Sequence, residues 1–228
     1  MNKTAFPVAS AVLVIAGVLL LQSAAWAGPP LICRPFHIGD SRSLPFLGPE
    51  WSRIDPGYDR SRLVNDTLAL LAPDTPVIVR METIRRAALY GRDDARIAEA
   101  LQEQLQARGA KLVGRNDAAS RMALFDLGYL VETYRQAAIV SRSGESFWKF
   151  AQAEPKIDGY SMVAKAIAQG GGPEMEFAAA LMTSDHRDQH YEEHLRKAIA
   201  GARPGSLLAQ NIATHFPDAV RSAGLAAH

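Results

Sequence analysis

The residues best suited to chemistry are three histidines near the C-terminus, His186, His190 and His194, spaced four residues apart. On a helix, this spacing places the side chains one above the other along one face. Two neighbouring imidazoles placed in this way can chelate a borderline metal ion such as Zn²⁺, Ni²⁺ or Cu²⁺. The sequence therefore predicts a metal site at His190 and His194, with His186 as a further ligand.

A solvated helix start is the alternative interpretation of the same stretch. Ser184 and Asp185 are typical helix caps, which would place His186 in the first turn or before it. Acidic residues in a first turn are favoured by the helix dipole. The stretch also lacks the His-Glu-x-x-His order in which one helix supplies two metal ligands and a catalytic base.

Other sequence patterns of catalysis or cofactor binding are incomplete. The run Gly170–Gly172 is not followed by the Lys and Ser or Thr of a phosphate-binding loop, and it predicts a flexible turn. There is no Gly-x-Ser-x-Gly elbow, and no carboxylate pair stands out. We predict no catalytic residue and no organic cofactor. A hydrolase whose site residues lie far apart in sequence stays open as a third possibility.

The first 27 residues have the pattern of a secretory signal peptide. Lys3 gives a basic start, an apolar stretch runs from Val8 to Leu21, and Ala25-Trp26-Ala27 offers the small residues that signal peptidase requires. We predict cleavage after Ala27. The alternative is a retained membrane anchor, although no basic cluster follows the apolar stretch. The mature protein is expected to be periplasmic or secreted.

The charge balance limits the expected partners. The chain has 25 Lys and Arg against 24 Asp and Glu, and removal of residues 1–27 takes away one lysine and leaves equal numbers. Binding to nucleic acid needs a surplus of positive charge on one face. We therefore expect no nucleic acid and no membrane insertion after cleavage. The expected partner is another envelope or secreted protein.

A single cysteine, Cys33, excludes a set of disulfides within the chain. The fold must therefore be stabilised by its hydrophobic core. We expect a buried or unreactive thiol at Cys33, with an intermolecular disulfide as the alternative.

The chain after the signal peptide divides into two regions. Residues 28–60 contain proline at a density that excludes a helix interior, and the interspersed aromatic residues predict an ordered, extended arm. In residues 61–228 the apolar residues recur at helical spacing, without the two-residue alternation of strands. We predict an all-α domain. The expected helix limits are Leu63 to before Pro73, Pro76 to Gly91, Asp93 to Gly109, and Asn116 or Asp117 to Val140.

The C-terminal part repeats itself. Lys165–Ala168 recurs as Lys197–Ala200, 32 residues later, and a glycine-containing break and a proline (Pro173 and Pro204) follow each copy. A period in the low thirties is typical of stacked antiparallel helical hairpins.

This region resembles the tetratricopeptide class of repeats. The resemblance is carried by the two repeated segments, by Leu124–Leu130 with its Leu-Gly pair, and by Ala87–Gly91. It covers about residues 76–216 and lacks the full set of signature positions.

The resemblance implies an α-α superhelix whose concave surface binds another protein. Polar and aromatic residues on the first helices, such as Tyr90, Tyr129 and Tyr134, would line that groove. We therefore expect a non-enzymatic scaffold or protein-interaction module of an exported bacterial protein. The alternative is a periplasmic metal-binding protein that uses the histidine cluster.

Overall fold

The fold is mostly helical. The computed structural model describes residues 28–48, 50–140, 145–153, 157–185 and 189–222. These residues contain no strand; one isolated antiparallel bridge joins Phe46 and Ile54. The predicted all-α class is confirmed. Within these ranges, no helix combines the length and the apolar character needed to cross a bilayer.

The helices are numbered in chain order. The first six are α1 Pro30–Cys33, α2 Leu63–Leu70, α3 Val77–Gly91, α4 Ala95–Ala110, α5 Ala118–Val140 and α6 Glu145–Gln152. The remaining five are α7 Gly159–Ala168, α8 Pro173–Thr183, α9 Gln189–Gly201, α10 Leu207–His215 and α11 Pro217–Ser222. A short 3₁₀ turn, Arg60–Arg62, precedes α2.

The starts of α4 and α5 are set by aspartate caps. Asp117 accepts a hydrogen bond from the backbone N–H of Ser120 at 2.9 Å, as expected of a cap at the predicted position. The cap of α4 is Asp94, one residue later than the predicted Asp93. Its side chain accepts the backbone N–H of Arg96 at 3.0 Å.

Two other helix ends differ from the prediction. Pro76 is the cap residue of α3 rather than its first residue, because its backbone is extended, with ψ of 148°, and no side chain caps the helix. The Thr75 hydroxyl instead donates to the carbonyl of Leu70 at 2.8 Å, which closes the turn between α2 and α3. Gly109 lies inside the last turn of α4, and the left-handed residue of the following turn is Gly114, with φ of 80°.

Helix α3 lies at the centre of the molecule. All its residues except Val77 and Arg86 are buried. It packs against α2, α4 and α5, and also against α1 and α8, which lie far apart in the chain. In a linear repeat stack each unit contacts only its neighbours. Here α1 and α8 share one core around α3, and superhelical stacking stays a prediction.

The N-terminal segment, defined as residues 28–58, begins inside this core. Its first turn, α1, was not predicted from the sequence. Leu31 and Ile32 have no exposed surface, and α1 packs against α3, α5 and α8. The backbone N–H of Leu31 donates to the side-chain oxygen of Gln136 on α5 at 2.7 Å. The start of this segment is therefore a core element.

Helices α5 and α7 cross at two facing glycines. A Cβ atom on Gly128 would lie 2.6 Å from the carbonyl oxygen of Gly159 and 2.9 Å from the Cβ of Met162. Both distances are too short for real contacts, and one partner is backbone. The helices can approach this closely only because neither position has a side chain.

Replacing Gly128 by alanine is expected to lower the free energy of unfolding by about 1–3 kcal/mol, because the added methyl group must push the helices apart. Urea denaturation followed by circular dichroism measures this change. Gly109→Ala is the matched control. No atom lies within 4 Å of its added Cβ, so we expect a gain of about 0.5–1 kcal/mol from the helix propensity of alanine. Equal effects at both positions would contradict the close crossing.

Candidate functional site

A cleft of about 880 Å³ lies between the N-terminal segment and the beginning of the helical body. One wall is formed by residues 40–45, and the other by α2 and the turn that leads into α3. Its size falls within the range of small-ligand and peptide sites. Its polar lining residues are Asp40, Ser41, Arg42, Ser43, Tyr58, Arg62, Asp66, Asp74 and Thr75. We call it the N-terminal cleft.

Part of the polar lining is already paired. The Tyr58 hydroxyl donates to Asp66 at 2.8 Å, and Arg62 donates to the other oxygen of the same carboxylate at 3.3 Å. Burial, together with the hydrogen bond to Asp66, raises the pKa of Tyr58. The phenol therefore stays protonated and serves as a donor.

Three charged side chains in the lining are free to meet a ligand. Asp40, Arg42 and Asp74 are exposed, and none of them forms a hydrogen bond or ion pair with another residue that the structure describes. They supply one cation and two anions around one opening. A ligand that carries both signs of charge, such as a polypeptide segment, matches this arrangement.

The wall formed by residues 40–45 is held in place from beneath by α3. Arg86 donates to the carbonyl of Leu44 at 2.6 Å. The Tyr90 hydroxyl donates to the carbonyl of Pro45 at 2.9 Å. A loop fixed at two consecutive carbonyls keeps its shape, so the cleft is preformed.

A buried carboxylate, Glu82, organises these contacts. It receives two hydrogen bonds from Arg85, at 2.7 and 2.8 Å, and one from Arg86 at 2.7 Å. The backbone N–H of Phe36 donates to it at 2.9 Å. Burial alone would raise the pKa of Glu82, but the two guanidinium groups and these hydrogen bonds outweigh it, so the pKa is lowered. The carboxylate is therefore charged at neutral pH.

Arg85 extends the network to both ends of the N-terminal segment. Its Nη1 donates to the carbonyl of Ile32 at 3.1 Å and to the carbonyl of Trp51 at 2.7 Å. The chain between these two residues includes the cleft wall. The buried ion-pair cluster on α3 therefore helps to hold this loop near both of its ends, while Asn211 holds the backbone of His37 between them.

The three tyrosines predicted to line a partner groove lie in the core instead. Tyr90 and Tyr129 have no exposed surface, and Tyr134 is 1% exposed. The Tyr134 hydroxyl donates to the carbonyl of Ala98 at 3.2 Å, while the Tyr129 hydroxyl finds no partner among the described residues. Their position on the apolar faces of α3 and α5 explains the burial. These three side chains therefore offer no surface to a partner in this fold.

Of the predicted metal ligands, His190 and His194 lie on α9, and His186 lies outside the described residues. His190 is exposed. His194 is nearly buried, with Nδ1 2.5 Å from Glu176 and Nε2 2.9 Å from the Tyr160 hydroxyl oxygen. The described ranges hold no group of three or more His, Cys, Asp or Glu side chains arranged to bind a metal ion. Metal binding by these histidines stays a prediction.

The contacts of His194 tie three helices together. A carboxylate on α8, an imidazole on α9 and a phenol on α7 form one chain of hydrogen bonds. Lys197 lies 3.7 Å from the other Glu176 oxygen. None of these three residues lines the N-terminal cleft, so we assign the chain of hydrogen bonds a role in helix packing.

Cys33 is buried in α1, as expected, at 3% exposure. Burial raises the pKa of its thiol, although Arg85 and Arg34 act in the opposite direction. The thiol is therefore protonated and shielded at neutral pH, which disfavours reaction with an oxidant or metal ion.

His215 is a buried titratable group that sequence reasoning did not single out. It is 2% exposed, stacks on Phe36 with ring centroids 4.7 Å apart, and meets Phe177 edge to face at 5.6 Å. Neither ring nitrogen makes a hydrogen bond of normal geometry among the described residues, although the backbone carbonyl of Pro35 is close enough to favour the protonated ring slightly. Burial, reinforced by Arg34, lowers its pKa to about 3. His215 is therefore a neutral core residue.

Asp126 is a second buried group of this kind. Its Oδ2 accepts from Arg80 at 2.6 Å, whereas its Oδ1 has no partner in the described chain. Burial raises its pKa to about 6 in spite of the attraction of Arg80. The pair joins α3 to α5, and Arg80 also donates to the carbonyl of Thr75, a residue of the N-terminal cleft, at 2.9 Å.

The cleft residues were missed by sequence reasoning because their spacing carries no signal. Asp40, Arg42 and Asp74 occur in turns, where charged residues are common. The anchoring cluster did carry a signal. Glu82 precedes Arg85 and Arg86 by three and four residues, which places all three on one face of a helix that is otherwise rich in apolar residues.

Comparisons of this chain with protein-family models, with curated proteins and with solved structures give no match. The tetratricopeptide resemblance therefore rests on the residues alone, and the function has to be argued from the geometry of the site.

Proposed function

We propose that this chain is a non-enzymatic, exported protein-interaction module that binds a polar segment of another envelope or secreted protein in the N-terminal cleft. The observation that carries the proposal is a rigid cleft wall, fixed by buried ion pairs, beside three charged side chains that have no described partner. Export rests on the signal-peptide pattern of residues 1–27, which lie outside the described structure.

Rigidity of the wall supports a binding role. A loop that is already fixed loses little conformational freedom when a ligand arrives, so more of the contact energy appears as affinity. Arg86 and Tyr90 supply this order before binding, since they hold the carbonyls of Leu44 and Pro45.

The chemistry of the lining supports a polypeptide as the ligand. Asp40 and Asp74 can accept N–H groups or pair with basic side chains, and Arg42 can pair with a carboxylate. The exposed Ser41 hydroxyl, which has no partner among the described residues, adds a donor and an acceptor for a backbone amide. The balanced net charge of the mature chain gives no support to a polyanionic ligand.

The finer arrangement expected from the sequence, a tetratricopeptide-like superhelix with an extended N-terminal arm, belongs to the same proposal. It is supported by the repeated segments, which lie in the last turns of α7 and α9. Pro173 begins α8 as that pattern requires, whereas Pro204 precedes the Ser206 cap of α10. The cleft does not depend on the superhelix.

Site-specific photo-cross-linking in cells tests the proposal. Benzoylphenylalanine replaces Ala69 or Asp74, both exposed in the cleft lining, in the tagged full chain, and Gln104 on the exposed face of α4 is the control position. We expect the same single protein adduct from positions 69 and 74 and none from position 104. Absence of an adduct from both cleft positions, or the same adduct from all three, would reject the cleft as the binding surface.

Charge variants show whether the adduct depends on recognition. Arg42→Glu is expected to reduce the adduct formed from position 74 several-fold, because Arg42 is the one cation of the lining without a partner among the described residues. Arg42→Lys keeps the charge and is expected to preserve most of the yield. An adduct that is insensitive to charge reversal would indicate proximity without binding.

A further inference from the structure

A second concavity, about 510 Å³ in volume, lies on another part of the molecule. It is enclosed by the end of α4 and the turn after it, by the first turns of α5, and by one face of α7. We call it the α4–α7 pocket. It shares no lining residue with the N-terminal cleft.

The walls of the α4–α7 pocket include a cluster of apolar side chains. Leu112 and Val113 come from the turn, Leu124 and Leu127 from α5, and Met162 from α7. Val113 is 81% exposed, an unusual value for a large apolar side chain in this protein. Apolar surface of this kind, gathered around a concavity, is typical of a ligand site.

The charged lining residues of the pocket are all basic. They are Arg115 and Lys165, and the lining contains no carboxylate. Arg115 is paired with Asp117, with Nε 2.7 Å from the carboxylate, and Asp117 is not part of the lining. The ammonium group of Lys165 is exposed and has no described partner. The pocket therefore presents one free cation beside an apolar surface.

A buried acceptor lies on the same face of α7. Gln169 follows Lys165 by four residues, so both side chains project from one side of the helix end. The side-chain oxygen of Gln169 is buried and receives no hydrogen bond within the described structure. Its backbone carbonyl is held by Arg121 at 2.8 Å. A buried acceptor without a donor costs free energy, which a ligand N–H would recover.

We infer that the α4–α7 pocket binds the free carboxyl end of a polypeptide whose last side chain is apolar. The terminal carboxylate pairs with Lys165, the amide N–H of the last residue donates to Gln169, and the side chain lies against Leu124, Leu127 and Met162. This chemistry uses the cation, the unpaired acceptor and the apolar wall together. A fatty acid can pair with Lys165 and pack against the apolar wall, but it has no N–H that could donate to Gln169.

Fluorescence anisotropy with a labelled pentapeptide, Gly-Ser-Gly-Ala-Leu, tests the inference on the full mature chain. We expect the free acid to bind and the C-terminal amide to bind about tenfold more weakly or worse, since a charge-assisted bond is lost. Lys165→Gln is expected to weaken binding of the free-acid peptide by a similar factor. Lys149→Gln, on α6 and paired with Glu145, is the matched control and leaves binding unchanged.

Competition with dodecanoate separates the two kinds of amphipathic anion. Gln169→Met removes the acceptor and keeps the size of the side chain. It is expected to weaken binding of the peptide about tenfold and to leave binding of dodecanoate unchanged. Binding of dodecanoate alone, or equal binding of acid and amide peptides, would overturn the inference, as would no peptide binding at millimolar concentration.

The proposals for the N-terminal cleft and for the α4–α7 pocket can be rejected independently of each other. Arg42→Glu in the N-terminal cleft is expected to leave pentapeptide binding unchanged, and Lys165→Gln is expected to leave the photo-adduct at position 74 unchanged. Thermal melts of each variant confirm that the chain is folded before its binding is measured.

Discussion

Replacement of Glu82 by glutamine is expected to lower the free energy of unfolding by about 3–5 kcal/mol. The Arg85 side chain has no exposed surface, and both of its bonds to Glu82 go to the charged carboxylate. Glutamine has nearly the same shape but no charge. The substitution therefore leaves a guanidinium group buried without its anion, which is among the most costly single changes in a core. Urea denaturation at pH 7 measures the loss.

Glu99→Gln is the matched control for this prediction. Glu99 is exposed on α4 and has no ion-pair partner among the described residues, so its replacement is expected to change stability by less than about 0.5 kcal/mol. A loss below about 1 kcal/mol for Glu82→Gln would contradict the central role of the ion-pair cluster.

The same variant also links the cluster to the N-terminal cleft. Glu82 holds Arg85 and Arg86, and Arg86 holds the carbonyl of Leu44. Loss of the carboxylate is expected to loosen the cleft wall and to speed tryptic cleavage after Arg42 under native conditions. Unchanged cleavage in a destabilised variant would show that the wall is fixed by other contacts.

The pH dependence of this contribution has a definite sign. The pKa of Glu82 is lowered in the folded protein, so its ion pairs stabilise the fold above the ordinary glutamate pKa, and this contribution is lost as the pH falls through the folded pKa. The difference in stability between the wild-type chain and Glu82→Gln is therefore expected to be largest at neutral pH.

Local signals explain which parts of the fold were predictable. The sequence predicts the helix that follows Asp117 because a cap residue and an apolar helical period lie next to each other in the chain, and the observed helix runs from Ala118 to Val140. The turn between α2 and α3 contains Pro73, as predicted, although no side chain caps α3. Errors of one residue, as at Asp93, reflect two adjacent aspartates, either of which can cap a helix.

Long-range contacts explain what the sequence did not show. The bond from Leu31 to Gln136 joins residues 105 positions apart, and the bond from Phe36 to Glu82 spans 46 positions. No local pattern encodes such pairs. The N-terminal cleft is built from two stretches of this kind, so neither its existence nor its lining follows from periodicity.

The tyrosines illustrate a different limit. Tyr90, Tyr129 and Tyr134 follow the apolar faces of their helices, and the bottom-up interpretation of that spacing is a core position. The expectation of an exposed groove came from the tetratricopeptide resemblance. In this chain the helix that would present the first tyrosine, α3, is enclosed on all sides.

A change of His215 to phenylalanine is expected to stabilise the protein more in acid than at neutral pH. An imidazole has an ordinary pKa of 6.5, and in the folded protein burial lowers the pKa of His215 to about 3. Between these values the unfolded chain binds a proton that the folded chain does not. The free energy of unfolding therefore falls as the pH falls, by about 1.4 kcal/mol per pH unit from this one group.

Phenylalanine removes that contribution and retains the stacking on Phe36 and Phe177. Urea denaturation at pH 7.5 and pH 4.5 is expected to show that the gain in the free energy of unfolding of His215→Phe over the wild-type chain grows by about 2–3 kcal/mol between the two conditions.

Asp126 has the opposite pH dependence in both proteins, because its raised pKa favours the folded state in acid. Its contribution therefore cancels when the two proteins are compared. His37→Phe, at an exposed position in the same segment, is expected to show no such growth. A constant difference at both pH values would mean that His215 takes up its proton inside the folded protein. The core around Phe36 would then admit water, or another hydrogen-bond partner, to the two ring nitrogens.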